Sequence, residues 1–278
     1  MRYTTSLATA ALALAPPFIL AHSASLQPNR NPLTYDAKSV GKPNSGAALE
    51  LWLPPGTGPF PAVLVMHGCG GINANHRGWA GRLTEWGYAA AILDSFGPRN
   101  TRHTCQVGND PRPNLRAQDA FNAATYLRTL PIIQPDRIGL VGFSHGGVTA
   151  LFATLASEVP TDRDGRPFQA MVAFYPPCLR KTGWNAEVLG EPANDLLILI
   201  GKDDTWTPAP DCLKYVEAQS GFPHAPTIKV YPGAVHAFDA AYRVGLDEHG
   251  HLQGANPEAR ADSYVMTKAF LDARLKVK

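Results

Sequence analysis

The sequence has little net charge and few charged side chains. Lys and Arg number 25 and Asp and Glu number 23, so the net charge is +2, and charged residues make up 17% of the chain. No five consecutive residues carry charge of one sign, so there is no basic tract of the kind that nucleic acids or anionic membranes bind. An apolar fraction of 45% excludes a disordered chain. We expect one folded domain and no nucleic-acid partner.

Long apolar runs are absent after the N-terminus. Residues 7–21 are apolar or small, follow Arg2, and precede small residues at positions 21, 23 and 24, which is the pattern of a secretory signal. A membrane span needs about 20 apolar residues, and Pro16 and Pro17 interrupt this shorter run. The sequence therefore predicts a signal peptide over residues 1–24, with an uncleaved anchor as the alternative. The mature protein is expected in the periplasm or outside the cell, without stable membrane insertion.

Cysteine is scarce, and no C-x-x-C pair occurs. Because that spacing is missing, the sequence does not support a zinc ribbon or a thioredoxin-like site. The even number in an exported protein predicts two disulfides, for which spacing alone leaves three pairings open. The four cysteines are Cys69, Cys105, Cys178 and Cys212.

Strand and helix patterns alternate after a Pro-, Asn- and Ser-rich arm at residues 25–47. Apolar runs predict strands at 48–53, 61–66, 89–93, 137–143, 170–174, 196–201 and 227–231. Helical spacing lies between them at 76–87, 116–129 and 147–157. A last helix starts after Asn256, with Val265, Phe270 and Leu271 expected to face inward. Alternation of this kind predicts one α/β domain over residues 48–278, with a mainly parallel, doubly wound sheet flanked by helices.

One segment carries a chemical motif. Gly142-Phe143-Ser144-His145-Gly146 leaves a predicted strand and enters a small-residue helix, the context that a G-x-S-x-G nucleophile elbow requires. The string alone can arise by chance in a glycine-rich chain, but its strand-turn-helix setting favours a serine nucleophile.

A serine nucleophile needs a base and an acid that orients the base, in the chain order Ser, then Asp or Glu, then His. Asp203 and Asp204 follow one later strand, and His236 follows the next. One aspartate is then the acid and the other a turn or cap residue. Other histidines lack a preceding strand and are expected to face solvent: His224, His249 and His251.

The oxyanion of such an enzyme is bound by two backbone N–H groups. One belongs to the residue after the nucleophile, His145, and the other comes from the loop after an earlier strand, here residues 67–71. His67 is expected to order this loop rather than to bind a metal, because no second ligand lies near it in sequence.

Five segments together resemble the dienelactone hydrolase family. They are HGCGG at 67–71, LDSFGPR at 93–99, GFSHGG at 142–147, GKDDTWTP at 201–208 and YPGAVHAF at 231–238. The resemblance implies an α/β-hydrolase fold, His236 as the base, and the N–H of Cys69 in the oxyanion hole. It selects Asp204 as the acid, because the family has proline four residues later, here Pro208. It implies hydrolysis of carboxylic esters or lactones through an acyl-enzyme, with no cofactor.

Two departures from the family pattern stand out. The dienelactone hydrolases proper use cysteine as nucleophile where this chain has Ser144, so it is similar to the exported serine-using relatives. Arg99 and Arg243 lie near, but out of register with, the arginines that hold the substrate carboxylate in the family. Two tryptophans, Trp184 and Trp206, either line the pocket or pack against loops.

Three alternative functions remain at this stage. A peptidase or other amide hydrolase would use the same triad. A non-catalytic binding protein of the same fold would be expected to have a broken triad, and a cysteine hydrolase working through Cys69 would use a loop position rather than the elbow.

The order of the predicted strands favours one disulfide pairing. Cys69 and Cys105 lie in loops after neighbouring strands, and Cys178 and Cys212 also follow consecutive strands. Loops that leave adjacent parallel strands at one edge are close, because strands lie about 5 Å apart. We therefore expect Cys69–Cys105 and Cys178–Cys212 bridges.

Overall fold

A computed structural model describes residues 33–35, 47–105, 110–160, 168–178 and 188–276. Its strands are β1 (Leu33–Tyr35), β2 (Ala48–Trp52), β3 (Phe60–Met66), β4 (Ala89–Asp94), β5 (Ile133–Phe143), β6 (Ala170–Phe174), β7 (Leu196–Gly201), β8 (Thr227–Tyr231), β9 (Gly245–Leu246) and β10 (Leu252–Gln253). Its helices are α1 (Ala74–Glu85), α2 (Pro113–Arg128), α3 (His145–Thr154), α4 (Ala209–Ala218) and α5 (Pro257–Leu275).

Strands β1 to β8 form one sheet in the order β1-β2-β4-β3-β5-β6-β7-β8. The strands from β3 to β8 run parallel. At one edge β2 pairs antiparallel with β4, and β1 pairs antiparallel with β2. Every residue of β6 and of β7 is buried, which requires cover on both faces of the sheet. The mainly parallel, doubly wound sheet expected from the alternating pattern is confirmed.

The N-terminal arm differs from expectation within its described residues. Leu33–Tyr35 pairs with β2 as an edge strand, although the composition of residues 25–47 suggested a loose segment. The predicted signal peptide, residues 1–24, lies outside the described residues. Within the described part of the chain, no helix is both long and apolar enough to span a bilayer.

Helix α5 corrects one detail of the sequence prediction. Val265 is 67% exposed, whereas Leu271 is fully buried as expected and Phe270 packs partly against the core. The buried face of α5 repeats every four residues and includes two small polar side chains: Ala259, Ser263, Thr267, Leu271 and Leu275. Val265 lies on the opposite side of the helix, because two residues after Ser263 correspond to a rotation of about 200°.

Two disulfides tie chain segments that follow neighbouring strands at the carboxyl edge of the sheet. Cys69 is bonded to Cys105 and Cys178 to Cys212, with Cα atoms 4.8 and 4.9 Å apart. These are the pairs expected from adjacent strands, since β3 neighbours β4 and β6 neighbours β7. Two bridges of this kind indicate an oxidising compartment.

Candidate active site

Ser144 stands at a sharp turn between β5 and α3. Its φ is +52°, a backbone conformation rare for a residue with a side chain, and its N–H donates to the carbonyl of Phe174 on the next strand (2.9 Å). The flanking glycines are required by close packing. A Cβ on Gly142 would lie 2.1 Å from the carbonyl oxygen of Gly146, and one on Gly146 would lie 2.2 Å from that of Met66. The turn therefore presents the serine side chain above the carboxyl end of the sheet.

His236 lies between Ser144 and Asp204. Its Nε2 is 3.1 Å from Ser144 Oγ, and its Nδ1 is 2.8 Å from Asp204 Oδ2. A carboxylate can only accept hydrogen bonds, so Nδ1 carries the ring proton and Nε2 is left to accept from the serine hydroxyl. His236 is 3% exposed and Asp204 is 4% exposed, so water weakens this chain of hydrogen bonds little.

The Asp204 carboxylate is fixed by its own loop. Oδ1 accepts from the backbone N–H groups of Trp206 and Thr207, both at 2.9 Å, and Oδ2 accepts from the Thr207 hydroxyl at 2.7 Å. Asp203 is exposed, and its N–H donates to the carbonyl of Ala234. The structure therefore brings Asp204, rather than Asp203, to His236.

A second buried carboxylate lies behind the histidine. Asp239 is 1% exposed and accepts from Tyr175 Oη (2.7 Å), Trp79 Nε1 (2.7 Å) and Asn75 Nδ2 (2.8 Å). The Tyr175 ring packs edge-on against His236, with centroids 4.6 Å apart. Burial, followed by the charge of Asp239, raises the pKa of Tyr175 well above its usual value. Sequence reasoning missed this cluster, although Asp239 is only three residues beyond His236.

Ser144 and His236 line a cavity of about 390 Å³. Gly68 and Cys69 of the loop after β3 line it beside Ser144, and Trp206 lines it beside His236, at a ring distance of 4.9 Å. The β9–β10 hairpin adds a wall that the sequence patterns did not predict: Asp247, Glu248, His249 and Gln253.

Two of the histidines expected to face solvent belong to this hairpin, and only His251 departs from the expectation, because it is half-buried. His249 is exposed but lines the cavity, and His251 stacks on Trp206 with ring planes 9° apart. His224 is exposed, as expected, and pairs with Asp195. Trp206 is thus a cavity residue, while Trp184 lies outside the described residues.

Two buried histidines order the loop after β3. His67 Nδ1 contacts the carbonyl of Gly68 at 2.7 Å, and His76 Nδ1 accepts from the N–H of Asn73 at 3.0 Å. Burial, and then the nearby charge of Arg116, lowers the pKa of His67 well below its usual value and that of His76 to about 3. Both rings are therefore neutral at ordinary pH.

The two arginines compared with the substrate-binding arginines of the family lie outside the cavity. Arg99 forms a two-pronged ion pair with Asp119 at 2.7 and 2.9 Å, and Arg243 is exposed. Neither lines the cavity beside Ser144.

The fold and the strand-turn-helix serine place this chain among the α/β hydrolases, and solved structures agree. An α/β hydrolase from a deep-sea metagenome library superposes with a TM-score of 0.65 at 19% identity, covering 89% of this chain and 98% of that one. A Thermogutta terrifontis esterase gives a TM-score of 0.65 at 14% identity, covering 88% and 94%.

The sequence model of the dienelactone hydrolase family matches residues 50–275, so the chain belongs to that family. A provisionally named carboxymethylenebutenolidase of Synechocystis is 27% identical over 263 residues, covering 88% of this chain and all of that protein. The chain is therefore a hydrolase of the dienelactone hydrolase and esterase type.

Proposed function

We propose that the protein is a serine hydrolase that cleaves carboxylic esters or lactones through an acyl-enzyme. One observation carries the proposal: Ser144 Oγ, His236 and the Asp204 carboxylate form a continuous hydrogen-bonded chain at the border of a cavity. Ser144 attacks the substrate carbonyl, and His236 takes the hydroxyl proton and returns it to the leaving alcohol. Water then hydrolyses the acyl-enzyme with the same base.

Asp204 holds the histidine in the tautomer that this chemistry needs. Its charge also stabilises the imidazolium that forms when His236 takes the proton. The four hydrogen bonds that the carboxylate accepts, one of them from His236, fix its position before substrate arrives.

The oxyanion is assigned to the backbone N–H groups of Cys69 and His145. His145 follows the nucleophile at the first turn of α3, where the helix dipole also favours negative charge. Cys69 lines the cavity on the side of the loop after β3. Oriented N–H groups of this kind are worth about 10²–10³ in rate each.

Export is part of the proposal. A signal peptide at residues 1–24 would deliver the chain to an oxidising compartment, where the two disulfides persist. Residues 48–278 then form the catalytic domain.

The test replaces Ser144 by alanine and measures hydrolysis of p-nitrophenyl acetate, aryl esters, lactones and a peptide panel. We expect Ser144→Ala to lose more than about a thousandfold in kcat while its unfolding midpoint stays close to that of the wild type. Ser263→Ala is the control, because it removes a buried serine hydroxyl of α5 that does not line the cavity. Retention of ester hydrolysis in folded Ser144→Ala contradicts the proposal, and cleavage of peptides alone by the wild type contradicts the substrate class.

A further inference from the structure

A buried arginine joins the two backbone segments that face each other across the serine. Arg116 of α2 is fully buried. One guanidinium nitrogen, Nη2, donates to the carbonyl oxygen of His67 at 2.8 Å, and the other, Nη1, lies 2.7 Å from His145 Nδ1. Since arginine has no acceptor, the His145 ring nitrogen must accept this bond. One rigid side chain therefore contacts both the loop after β3 and the first residue of α3.

These two segments have no direct covalent link. The Cys69–Cys105 bridge ties the loop to the chain beyond β4, not to α3. The backbone of α3 nevertheless approaches the loop closely, since a Cβ on Gly146 would meet the Met66 and His67 carbonyl oxygens at 2.2 and 2.7 Å. The spacing of the segments thus depends on non-covalent contacts, and the Arg116 fork is one that spans both.

The Arg116 guanidinium remains charged although burial disfavours its charge. Its carbon lies 5.1 Å from the centre of the Phe96 ring. Burial lowers the pKa of Arg116, while the charge of Asp119 opposes that effect. A guanidinium remains protonated at neutral pH, so its N–H groups remain available as hydrogen-bond donors.

We propose that Arg116 is a positioning residue, which sets the spacing of the Cys69 and His145 N–H groups so that both reach the oxyanion. The inference rests on the proposed function, because the proposed function assigns the oxyanion hole to these two N–H groups. Arg116 does not line the cavity, so it acts through the loop and the helix rather than on substrate. The fork geometry matters, because the two hydrogen bonds of Arg116 come from two separate nitrogens, whereas all donors of a lysine ammonium share one nitrogen.

The test separates positioning from stability by measuring kcat per active site. A fluorophosphonate probe, taken to its end point, counts competent serines, and p-nitrophenyl acetate then gives kcat and KM for those molecules. We expect Arg116→Met to lower kcat per site about tenfold to a hundredfold with KM within about twofold, because a displaced donor weakens transition-state binding more than substrate binding. We expect Arg116→Lys to recover only part of this loss.

Phe121→Leu is the matched control on the same helix. Phe121 is buried in α2 against Phe168, with ring centroids 5.3 Å apart, so this change lowers stability but leaves Arg116 and both of its hydrogen-bond partners in place. We expect it to lower the unfolding midpoint while kcat per site stays within about twofold of the wild type. A purely structural role for Arg116 would give Arg116→Met the same behaviour as this control.

His145 provides a second route if Arg116→Met yields no folded protein. His145→Ala removes the acceptor, and His145→Gln keeps a side-chain oxygen that the guanidinium can reach. We expect His145→Ala to lower kcat per site and His145→Gln to restore part of it. Unchanged kcat per site in either Arg116→Met or His145→Ala overturns the inference. Absence of probe labelling in the wild type would instead overturn the proposed function.

Discussion

Replacement of Asp204 by asparagine changes the charge at the site with almost no change in shape. Asp204 Oδ1 accepts two backbone N–H groups, from Trp206 and Thr207, and Oδ2 faces His236 Nδ1. An asparagine has one oxygen and one NH2 group to share between these two sides. Its orientation therefore decides the tautomer of His236.

The energetics favour the unproductive orientation. If the amide NH2 faced the two backbone N–H groups, both donors would be left unpaired in a buried site, at a cost of about 1–3 kcal/mol each. The amide oxygen therefore stays on Trp206 and Thr207, and its NH2 group points at His236. Nδ1 must then accept, so the ring proton moves to Nε2, which can no longer take the proton of Ser144.

We expect Asp204→Asn to lose about 10⁴-fold in kcat, which corresponds to about 5 kcal/mol of transition-state stabilisation. The assay is hydrolysis of p-nitrophenyl acetate by protein whose circular dichroism and unfolding midpoint match those of the wild type. Asp203→Asn is the control, because Asp203 is exposed, and we expect it to keep activity within about threefold. A loss of less than about tenfold in Asp204→Asn, or a larger loss in Asp203→Asn, would refute the reasoning.

Two other consequences of the structure are open to measurement. Replacing both Cys69 and Cys105 by serine should lower turnover per probe-labelled site, because the bridge tethers the cavity loop, whereas the same change at Cys178 and Cys212 should mainly cost stability. Each bridge closes a similar loop, worth about 3–4 kcal/mol by chain entropy, so equal turnover in the two double variants would contradict the tethering role. Burial lowers the pKa of His76 to about 3. Below about pH 6.5 the unfolded chain therefore binds a proton at His76 that the native state does not bind, so the free energy of unfolding falls as the pH falls. In urea unfolding, this residue should make the free energy of unfolding about 2 kcal/mol lower at pH 5 than at neutral pH. His76→Gln should reduce that difference. An unchanged difference in His76→Gln would show that other groups are responsible.

The central sheet could be predicted because its strands are continuous apolar runs. The run Leu196–Gly201 is apolar throughout, so its position inside a sheet covered on both faces can be predicted without information from distant residues. The same holds for the turn at Ser144, where Gly142 and Gly146 mark a place with no room for side chains. Local chemistry therefore identified both the fold and the serine that it presents.

Other elements escaped prediction because their signals are weak or long-range. Helix α4 buries Ala209, Cys212 and Tyr215 at helical spacing, but it has only 10 residues and begins among prolines. The β9–β10 hairpin has two-residue strands, and it reaches the cavity because the Gly254 N–H donates to the His236 carbonyl. The spacing of apolar residues along the chain does not predict a contact of this kind between distant residues.

The buried face of α5 shows a third kind of limit. Ser263 and Thr267 are fully buried, whereas Val265 faces solvent. Hydroxyl groups that bond to the preceding turn of their own helix can be buried cheaply, as Ser263 does with the carbonyl of Arg260. A pattern based on apolar residues alone therefore misses such polar core positions and can place an exposed residue such as Val265 inside.

The central claim is that Ser144 is the nucleophile, and identifying the covalently modified residue tests it most directly. The protein is treated with a fluorophosphonate, digested, and analysed by peptide mass spectrometry alongside Ser144→Ala. We predict one adduct per chain, on the peptide that contains Ser144. Ester hydrolysis should fall in proportion to the fraction of chains labelled, and labelling and hydrolysis should both be lost in Ser144→Ala. An adduct on another residue, or ester hydrolysis that persists after Ser144 is fully labelled, would contradict the account.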